Sequence, residues 1–426
     1  MSRAQGKMYP LNKVGIIGVP FEKGQKKYGV SIAPAAMRSA GLIEQLQEID
    51  GLDVKDYGDI ETGACAETEL VPNMAHLPLV SACNKQLSRR VAEVLRDERV
   101  VVTIGGDHSI GVGTVDGHHS VNEDMILLWV DAHADINTNK TSESGSVHGM
   151  PVALLVKEFA HYWPYLPTMD WQTPKFSIKN IGYIGLRSVD QYERLAIEKY
   201  NVPTFAMEDI EEHGIKKTIS HILKTLDPTS SKPIHVSFDI DSLDALEAPS
   251  TGTPVRGGLT LREAINLMEI VHATGRLRAI DLVEINPALG NETDRKRTIE
   301  AGMSVLKAGL GFSRRGTAPK GVALEQSKDD TDAEIKTIIG NYINKIPDVD
   351  SQYVVNEGLT NVISNYFKGK ISTFPLYKIS LKIDRNPVKI PWTLGAPDPI
   401  QQNDNVKMRP YRYVAPVKVQ GDTIKQ

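Results

Sequence analysis

From Lys13 to about Leu310, short apolar runs alternate with stretches whose apolar residues recur at helical spacing. The runs Val14–Val19, Val100–Ile104, Met125–Val130, Ile178–Gly185, Val202–Ala206, Ile234–Phe238 and Leu277–Val283 read as buried strands. Between them, Pro34 opens a helix that runs through Met37, Leu42, Ile43 and Leu46. Further helices are expected at Asn84–Arg96, Pro151–Glu158, Gln191–Tyr200, Ile215–Leu226, Leu261–Ala273 and Asp294–Ala308. Apolar strands alternating with helices predict a parallel sheet covered on both faces. In such sheets, ligands bind beyond the carboxyl ends of the strands, so those ends are where chemistry is sought.

Beyond Thr317 the pattern changes. Lys328-Asp329-Asp330-Thr331-Asp332 reads as a linker or helix start, with two amphipathic helices expected over 332–346 and 353–367. From Pro387 the chain is Pro-rich and carries Gln401-Gln402-Asn403-Asp404-Asn405, which reads as extended or disordered. The expected division is an N-terminal segment 1–12, a main domain 13–316 and a C-terminal extension 317–426.

A chain of 426 residues is long for one domain, and its 41% hydrophobic and 24% charged residues are ordinary for a globular protein. A net charge of −4 gives no reason to expect nucleic acid or an anionic membrane as partner. Cys65 and Cys83, the two cysteines, do not make a disulfide framework and point to a reducing compartment. No stretch is apolar for long enough to span a membrane. Arg3, Lys7 and Lys13 precede the first acid, Glu22, but the apolar segment and Ser enrichment of targeting peptides are missing. The expected location is the cytoplasm, with the mitochondrial matrix as the alternative.

Three strands end in acids and histidines: Gly105-Gly106-Asp107-His108-Ser109, Asp131-Ala132-His133-Ala134-Asp135 and Asp239-Ile240-Asp241. In extended backbone, residues two apart face the same side. Asp131, His133 and Asp135 are therefore expected to point together, as are Asp239 and Asp241, with His108 nearby. Two carboxylates about 4 Å apart repel by roughly 4 kcal/mol at an effective dielectric near 20. Four aspartates in one place call for a counter-charge, which two divalent cations supply. Oxygen and imidazole ligands without a thiol suit Mn²⁺ better than Zn²⁺ or Cu²⁺, with Fe²⁺, Co²⁺ and Ni²⁺ also open. A lone Asp-x-His or Asp-x-Asp is usually a cap or turn; the specificity lies in three such motifs, each ending an apolar strand. Outside these motifs, His118 and His119 read as surface histidines, His235 as part of a strand and Trp129 as core.

These motifs, with Ser-Phe-Asp-Ile-Asp at 237–241, resemble the metal motifs of the arginase (ureohydrolase) family. Gly18-Val19-Pro20-Phe21-Glu22-Lys23-Gly24-Gln25, Thr251-Gly252-Thr253-Pro254-Val255 and Glu284-Ile285-Asn286-Pro287 resemble arginase motifs more narrowly. The resemblance covers residues 13 to 316 and makes 13–316 the catalytic domain. It implies a three-layer α/β/α fold around an eight-stranded, mostly parallel sheet. It implies two Mn²⁺ ions held by His108, Asp131, His133, Asp135, Asp239 and Asp241, with Asp131 and Asp239 bridging, and an animal-type trimer contact at Arg314 or Arg315.

The implied reaction is hydrolysis of L-arginine to L-ornithine and urea. Guanidinium is a poor electrophile that stays charged, and two cations can supply a bridging hydroxide to attack it. Asp135 would orient that hydroxide, His148 would pass a proton to the departing amine, and Glu284 would grip the guanidinium by paired hydrogen bonds. On residue type alone, His148 could equally be a helix cap, and Glu284 could be the partner of a nearby Arg or Lys. Asn137, Ser142 and Ser144 match positions that bind the α-carboxylate; Asp190, supported by Glu193, matches the α-amino contact, and Thr253 lines the site. Read without the resemblance, this is a solvated loop. Ser188 stands where the family commonly has a second acid, Ser146 where many members have Asn, and Ser242 and Ala245 replace the usual Gly and Pro. The alternatives are an agmatinase or other guanidino-acid hydrolase, or a metal-bound pseudoenzyme that uses its extension as a docking surface.

Overall fold

In a computed structural model, the structure describes residues 10–61, 71–163, 165–314 and 316, with strand residues 354–355, 379–381, 392–394, 418–419 and 422–423. The chain forms two units, Met1–Arg314 and Arg315–Gln426.

The first unit is built on one eight-stranded sheet in the order β2-β1-β3-β8-β7-β4-β5-β6. Its strands are β1 (Lys13–Gly18), β2 (Asp53–Asp59), β3 (Val100–Ile104), β4 (Ile126–Val130), β5 (Ile181–Leu186), β6 (Thr204–Ala206), β7 (Ile234–Asp239) and β8 (Leu277–Val283). Every neighbouring pair is parallel. The central strands are buried on both faces, and this decides their composition. Ile126, Leu128 and Val130 join one apolar cluster while Leu127 and Trp129 join the other. That alternation is the period-two geometry of a strand with a helix layer on each side.

One layer contains α1 (Ala33–Ser39), α2 (Leu42–Gln47), α7 (Met207–His213), α8 (Ile215–Leu226), α9 (Leu261–Ala273) and α10 (Glu292–Gly309). The other contains α3 (Leu77–Arg96), α4 (Gly111–Val121), α5 (Pro151–Leu155) and α6 (Gln191–Tyr200). Leu87, Val91, Val94 and Leu95 of α3 are buried, each contributing about 1.5–3 kcal/mol through lost apolar surface.

The structure differs from the expected elements where local signals were weak. β2 (DVKDYGD) is a polar edge strand with no alternation to betray it. The expected helix from Pro34 is two helices, broken where Gly41 takes a φ of 84°. The expected strand over Ile178–Gly185 begins with a single 3-10 turn at Ile178–Asn180. α4 has no local helix signal because its sequence, GVGTVDGHHSV, is glycine-rich. Its glycines serve packing: a Cβ at Gly113 would lie 2.7 Å from the Asn84 carbonyl oxygen and one at Gly117 would lie 2.4 Å from that of Ser88. α4 can therefore lie directly on the backbone of α3.

Among the described residues of the second unit, Val354–Val355, Ile379–Leu381 and Trp392–Leu394 form a three-stranded antiparallel sheet, and Lys418–Val419 pairs with Asp422–Thr423. Val354 and Val355 are extended at the start of the second helix expected there. The remainder of that helix and all of the 332–346 helix lie outside the described residues, as do Cys65 and Arg315. Among the described residues, no helix is long and apolar enough to cross a membrane.

Candidate metal centre and active-site cleft

The carboxyl ends of β3, β8, β7 and β4, the four central strands, deliver the acids and histidines to one place. β3 runs into Gly105-Gly106, where a Cβ at Gly106 would come within 1.8 Å of the Phe21 carbonyl oxygen, so no side chain fits. Asp107 then caps the short turn His108–Ile110 by accepting from the Ser109 N–H at 3.0 Å. Its other oxygen accepts from the Gly24 N–H at 2.8 Å, which leaves His108 facing inward.

His108 Nδ1 lies 3.0 Å from Asp131 Oδ2 and 3.1 Å from both Asp135 Oδ2 and Asp239 Oδ2. It is buried, yet it makes no hydrogen bond of acceptable direction with any of them. His133 Nδ1 lies 3.4 Å from Asp131 Oδ1 and 3.3 Å from Asp241 Oδ2. Donor atoms of His108, Asp131 and Asp135 lie within 4.8 Å of one another, and so do those of Asp131, His133 and Asp241. The two groups share Asp131.

The six residues meet, but mostly from turns beyond the strands and not from extended backbone. β4 ends at Val130, so Asp131, His133 and Asp135 lie in the turn beyond it, and Asp135 has a φ of 50°. Asp241 lies in the 3-10 turn Ile240–Ser242 and not in β7. The turns are held by the aspartates themselves: Asp131 Oδ1 accepts from the His133 N–H at 2.7 Å, and Asp239 Oδ1 from the Asp241 N–H at 2.8 Å. Arg187 adds a clamp, donating to the carbonyls of Asp241 at 2.6 Å and Leu243 at 3.0 Å.

Charge in this volume is unbalanced among the side chains alone. Burial, followed by repulsion from Asp241 and Asp131, pushes Asp239 well above the carboxylate range. Burial and then Asp131 push Asp135 up to about 6. Burial opposes a charge on His133, but Asp131 and Asp241 outweigh it and raise the imidazole to about 12. A buried imidazole nitrogen without a hydrogen bond, facing three carboxylate oxygens, fits a cation. The all-oxygen and imidazole donor set fits a hard or borderline one.

Glu284 follows β8 with a φ of 63°, a conformation that costs a non-glycine residue about 1–3 kcal/mol and concentrates at functional sites. Among the described residues, no Arg or Lys pairs with it. Its Oε1 accepts from the His108 N–H at 2.9 Å and lies 3.0 Å from His148 Nδ1, while Oε2 accepts from Gln25 Nε2 at 2.6 Å. Burial works against a charged His148, but Glu284 raises it to about 9.

Above these groups lies a cleft of about 180 Å³. His133, Asp135, Asn137, Ser142, Ser144, His148, Asp190, Glu193, Asp239 and Thr253 line it, together with Glu143, Gly149 and Ser188. Thr253 Oγ1 donates to Asp241 Oδ2 at 2.9 Å, and Asn137 Nδ2 to Asp190 Oδ2 at 2.8 Å.

The chain belongs to the arginase family. The arginase family model matches residues 12–310. The hepatic arginase of Aquarana catesbeiana is 41% identical over 304 residues, covering 71% of this chain and 94% of the relative. The crystal structure of arginase from Bacillus subtilis superposes with a TM-score of 0.63 at 32% identity, covering 71% of this chain and 99% of that one. An Entamoeba histolytica arginase solved with L-ornithine gives 0.63 at 29% identity, covering 72% of this chain and all of that one, 100%. The chain is therefore a hydrolase of the arginase family.

Several residues around the site have no local sequence signal for the contacts they make. Gln25 stands in the first motif, 259 positions from the carboxylate it holds. His118 is buried, not at the surface as expected, because α4 faces the sheet. Its Nδ1 lies 3.3 Å from His235 Nδ1, and burial, then the His235 charge, pushes it well below its usual value. His235 Nε2 lies 2.9 Å from Asp281 Oδ2, which also accepts from Ser237 Oγ at 3.2 Å. Ser237 Oγ in turn lies 3.0 Å from His108 Nε2, and the His108 ring stacks on Trp129 at 4.0 Å. Ser237 could have been found from its place two residues before Asp239, on the same face of β7; the others needed the fold.

Proposed function

We propose that the chain hydrolyses L-arginine to L-ornithine and urea, using a pair of Mn²⁺ ions. The observation that carries this is the pair of donor groups sharing Asp131, set beneath a polar cleft and beside Glu284 and His148. His108, Asp131, His133, Asp135, Asp239 and Asp241 would hold the cations. Bound there, the cations would lower the pKa of water and so supply the nucleophile at neutral pH.

The chain's own residues bind the substrate and handle its protons. A carboxylate offers about four acceptor directions. Three of those on Glu284 are taken by Gln25, His108 N–H and His148, so it accepts one guanidinium N–H directly and a second when His148 releases it. That release frees the imidazole to give its proton to the departing amine, and its place in the cleft lining puts it within reach. Asn137, Ser142 and Ser144 present uncharged donors suited to an α-carboxylate, while Asp190 faces the amino end. The carboxylates of the floor are buried, and the lower dielectric there strengthens each of these polar contacts.

The test is metal analysis of purified chain alongside urea release from L-arginine and from agmatine, which lacks the carboxylate. Two Mn²⁺ per chain with L-arginine strongly preferred is the expected result. Preference for agmatine would make it a different family hydrolase. No urea from any guanidino compound after Mn²⁺ loading would overturn the reading.

A further inference from the structure

Besides Asp135 and Asp239 of the metal cluster, three acids line the cleft, and two of them already accept hydrogen bonds. Glu193 accepts from the Ile136 N–H through Oε1 at 3.1 Å and from the Asp190 N–H through Oε2 at 3.0 Å. Burial also pushes it up to about 8. Asp190 accepts from Asn137 Nδ2 at 2.8 Å while serving as the N-cap of α6. The third acid, Glu143, is exposed, lines the cleft, and makes no hydrogen bond or ion pair among the described residues. The neighbouring position Ser188 carries no charge.

The backbone that carries Glu143 is held in place. Asn73 Nδ2 donates to the carbonyls of Asn139 at 2.8 Å and Ser142 at 2.7 Å. On the other side, Gly145 N–H donates to Ser142 Oγ at 3.1 Å and Ser146 N–H to Ser144 Oγ at 3.2 Å. A carboxylate with both oxygens unengaged among the described residues is thus presented on a pinned loop that lines the cleft.

We propose that Glu143 selects for an ammonium group at the amino-acid end of the substrate, and so sets KM and discrimination without acting in turnover. This rests on the reading that the substrate is L-arginine. In that reading the guanidinium goes to Glu284 and the α-ammonium to the lining that Asp190 and Glu143 share; Asp190 already accepts from Asn137, whereas neither oxygen of Glu143 is engaged among the described residues. The pair is exposed, so salt screens it and its effect is several-fold, not orders of magnitude.

The experiment compares Mn²⁺-loaded wild type with Glu143→Gln, which keeps the shape and removes the charge. The substrates are L-arginine and δ-guanidinovalerate, the same chain without the amino group. Binding of L-ornithine and δ-aminovalerate gives a readout independent of turnover. Glu143→Gln is expected to raise KM for L-arginine about three- to fivefold, with kcat changed by less than about twofold and kcat/KM for δ-guanidinovalerate unchanged. L-ornithine affinity falls by the same factor and δ-aminovalerate affinity does not. Equal losses for both substrates, or no change for L-arginine, would overturn the proposal. Failure of the arginine reading shows separately, as a wild-type chain that releases no urea from L-arginine.

Discussion

Gln25 donates through Nε2 to Oε2 of Glu284 at 2.6 Å, joining the loop after β1 to the end of β8. The bond fixes one oxygen of a carboxylate whose other oxygen serves His108 and His148. A hydrogen bond to a charged acceptor contributes about 1.5–3 kcal/mol, or roughly ten- to a hundredfold in an equilibrium. Gln25→Leu is expected to lower kcat/KM for L-arginine by about tenfold with metal content unchanged. Glu284→Gln is expected to lose most activity while keeping its metals. Steady-state urea release with metal analysis checks both, and wild-type turnover in Glu284→Gln would remove its role.

The metal cluster predicts a crossover in stability. Asp239 is buried against Asp131 and Asp241, so Asp239→Asn relieves repulsion in metal-free protein and raises its Tm relative to wild type. Mn²⁺ should raise the wild-type Tm, by the equivalent of about 2.7 kcal/mol at a hundredfold excess over Kd, and should raise the variant much less. Thermal melts with chelator and with Mn²⁺ read both arms. A Tm insensitive to Mn²⁺ in wild type would contradict the site.

Gly106 is set against the Phe21 carbonyl, with 1.8 Å left for a Cβ. Backbone cannot swing aside as a side-chain end can, so Gly106→Ala displaces either the Phe21 loop or the His108 turn. The expected cost is about 3 kcal/mol or more, seen in denaturant melts. Because Gly24 and Gln25 follow Phe21 closely, activity should fall further than stability.

Asp227 gives a pH dependence remote from the cleft. Burial works against its ionisation, but the Lys232 N–H, the Thr229 hydroxyl and the Arg276 guanidinium outweigh it and hold the carboxyl below its usual value of 3.8. A depressed folded-state pKa contributes stability above the unfolded value, which is lost as pH falls through the folded value. Asp227→Asn is therefore expected to be less stable than wild type at neutral pH, by about 2–3 kcal/mol, with the gap closing below about pH 4. Melts across that range check it; a gap independent of pH would show that charge is not what Asp227 contributes.

The residues of the floor were legible in the sequence because they stand in short motifs next to long apolar strands. His108, Asp131 and Asp239 each fall at or within a few positions of a strand buried along its whole length. Helices such as Ile215–Leu226 and Leu261–Ala273 were legible for the matching reason: their apolar residues recur at helical spacing without glycine or proline to interrupt them. β2 and α4 were not, since a polar edge strand has one neighbour and a glycine-rich helix draws its stability from the helix it lies on.

By itself, the sequence determined which side chains could gather charge and at which strand ends, because local periodicity and residue chemistry are properties of contiguous segments. Only the tertiary structure decided how they gather: Asp135 and Glu284 turned into left-handed backbone, Gln25 brought to Glu284, His118 turned inward, Glu143 set in the cleft lining with its oxygens unengaged among the described residues. Each of these depends on contacts between segments far apart in the chain, and no window of the sequence contains both partners.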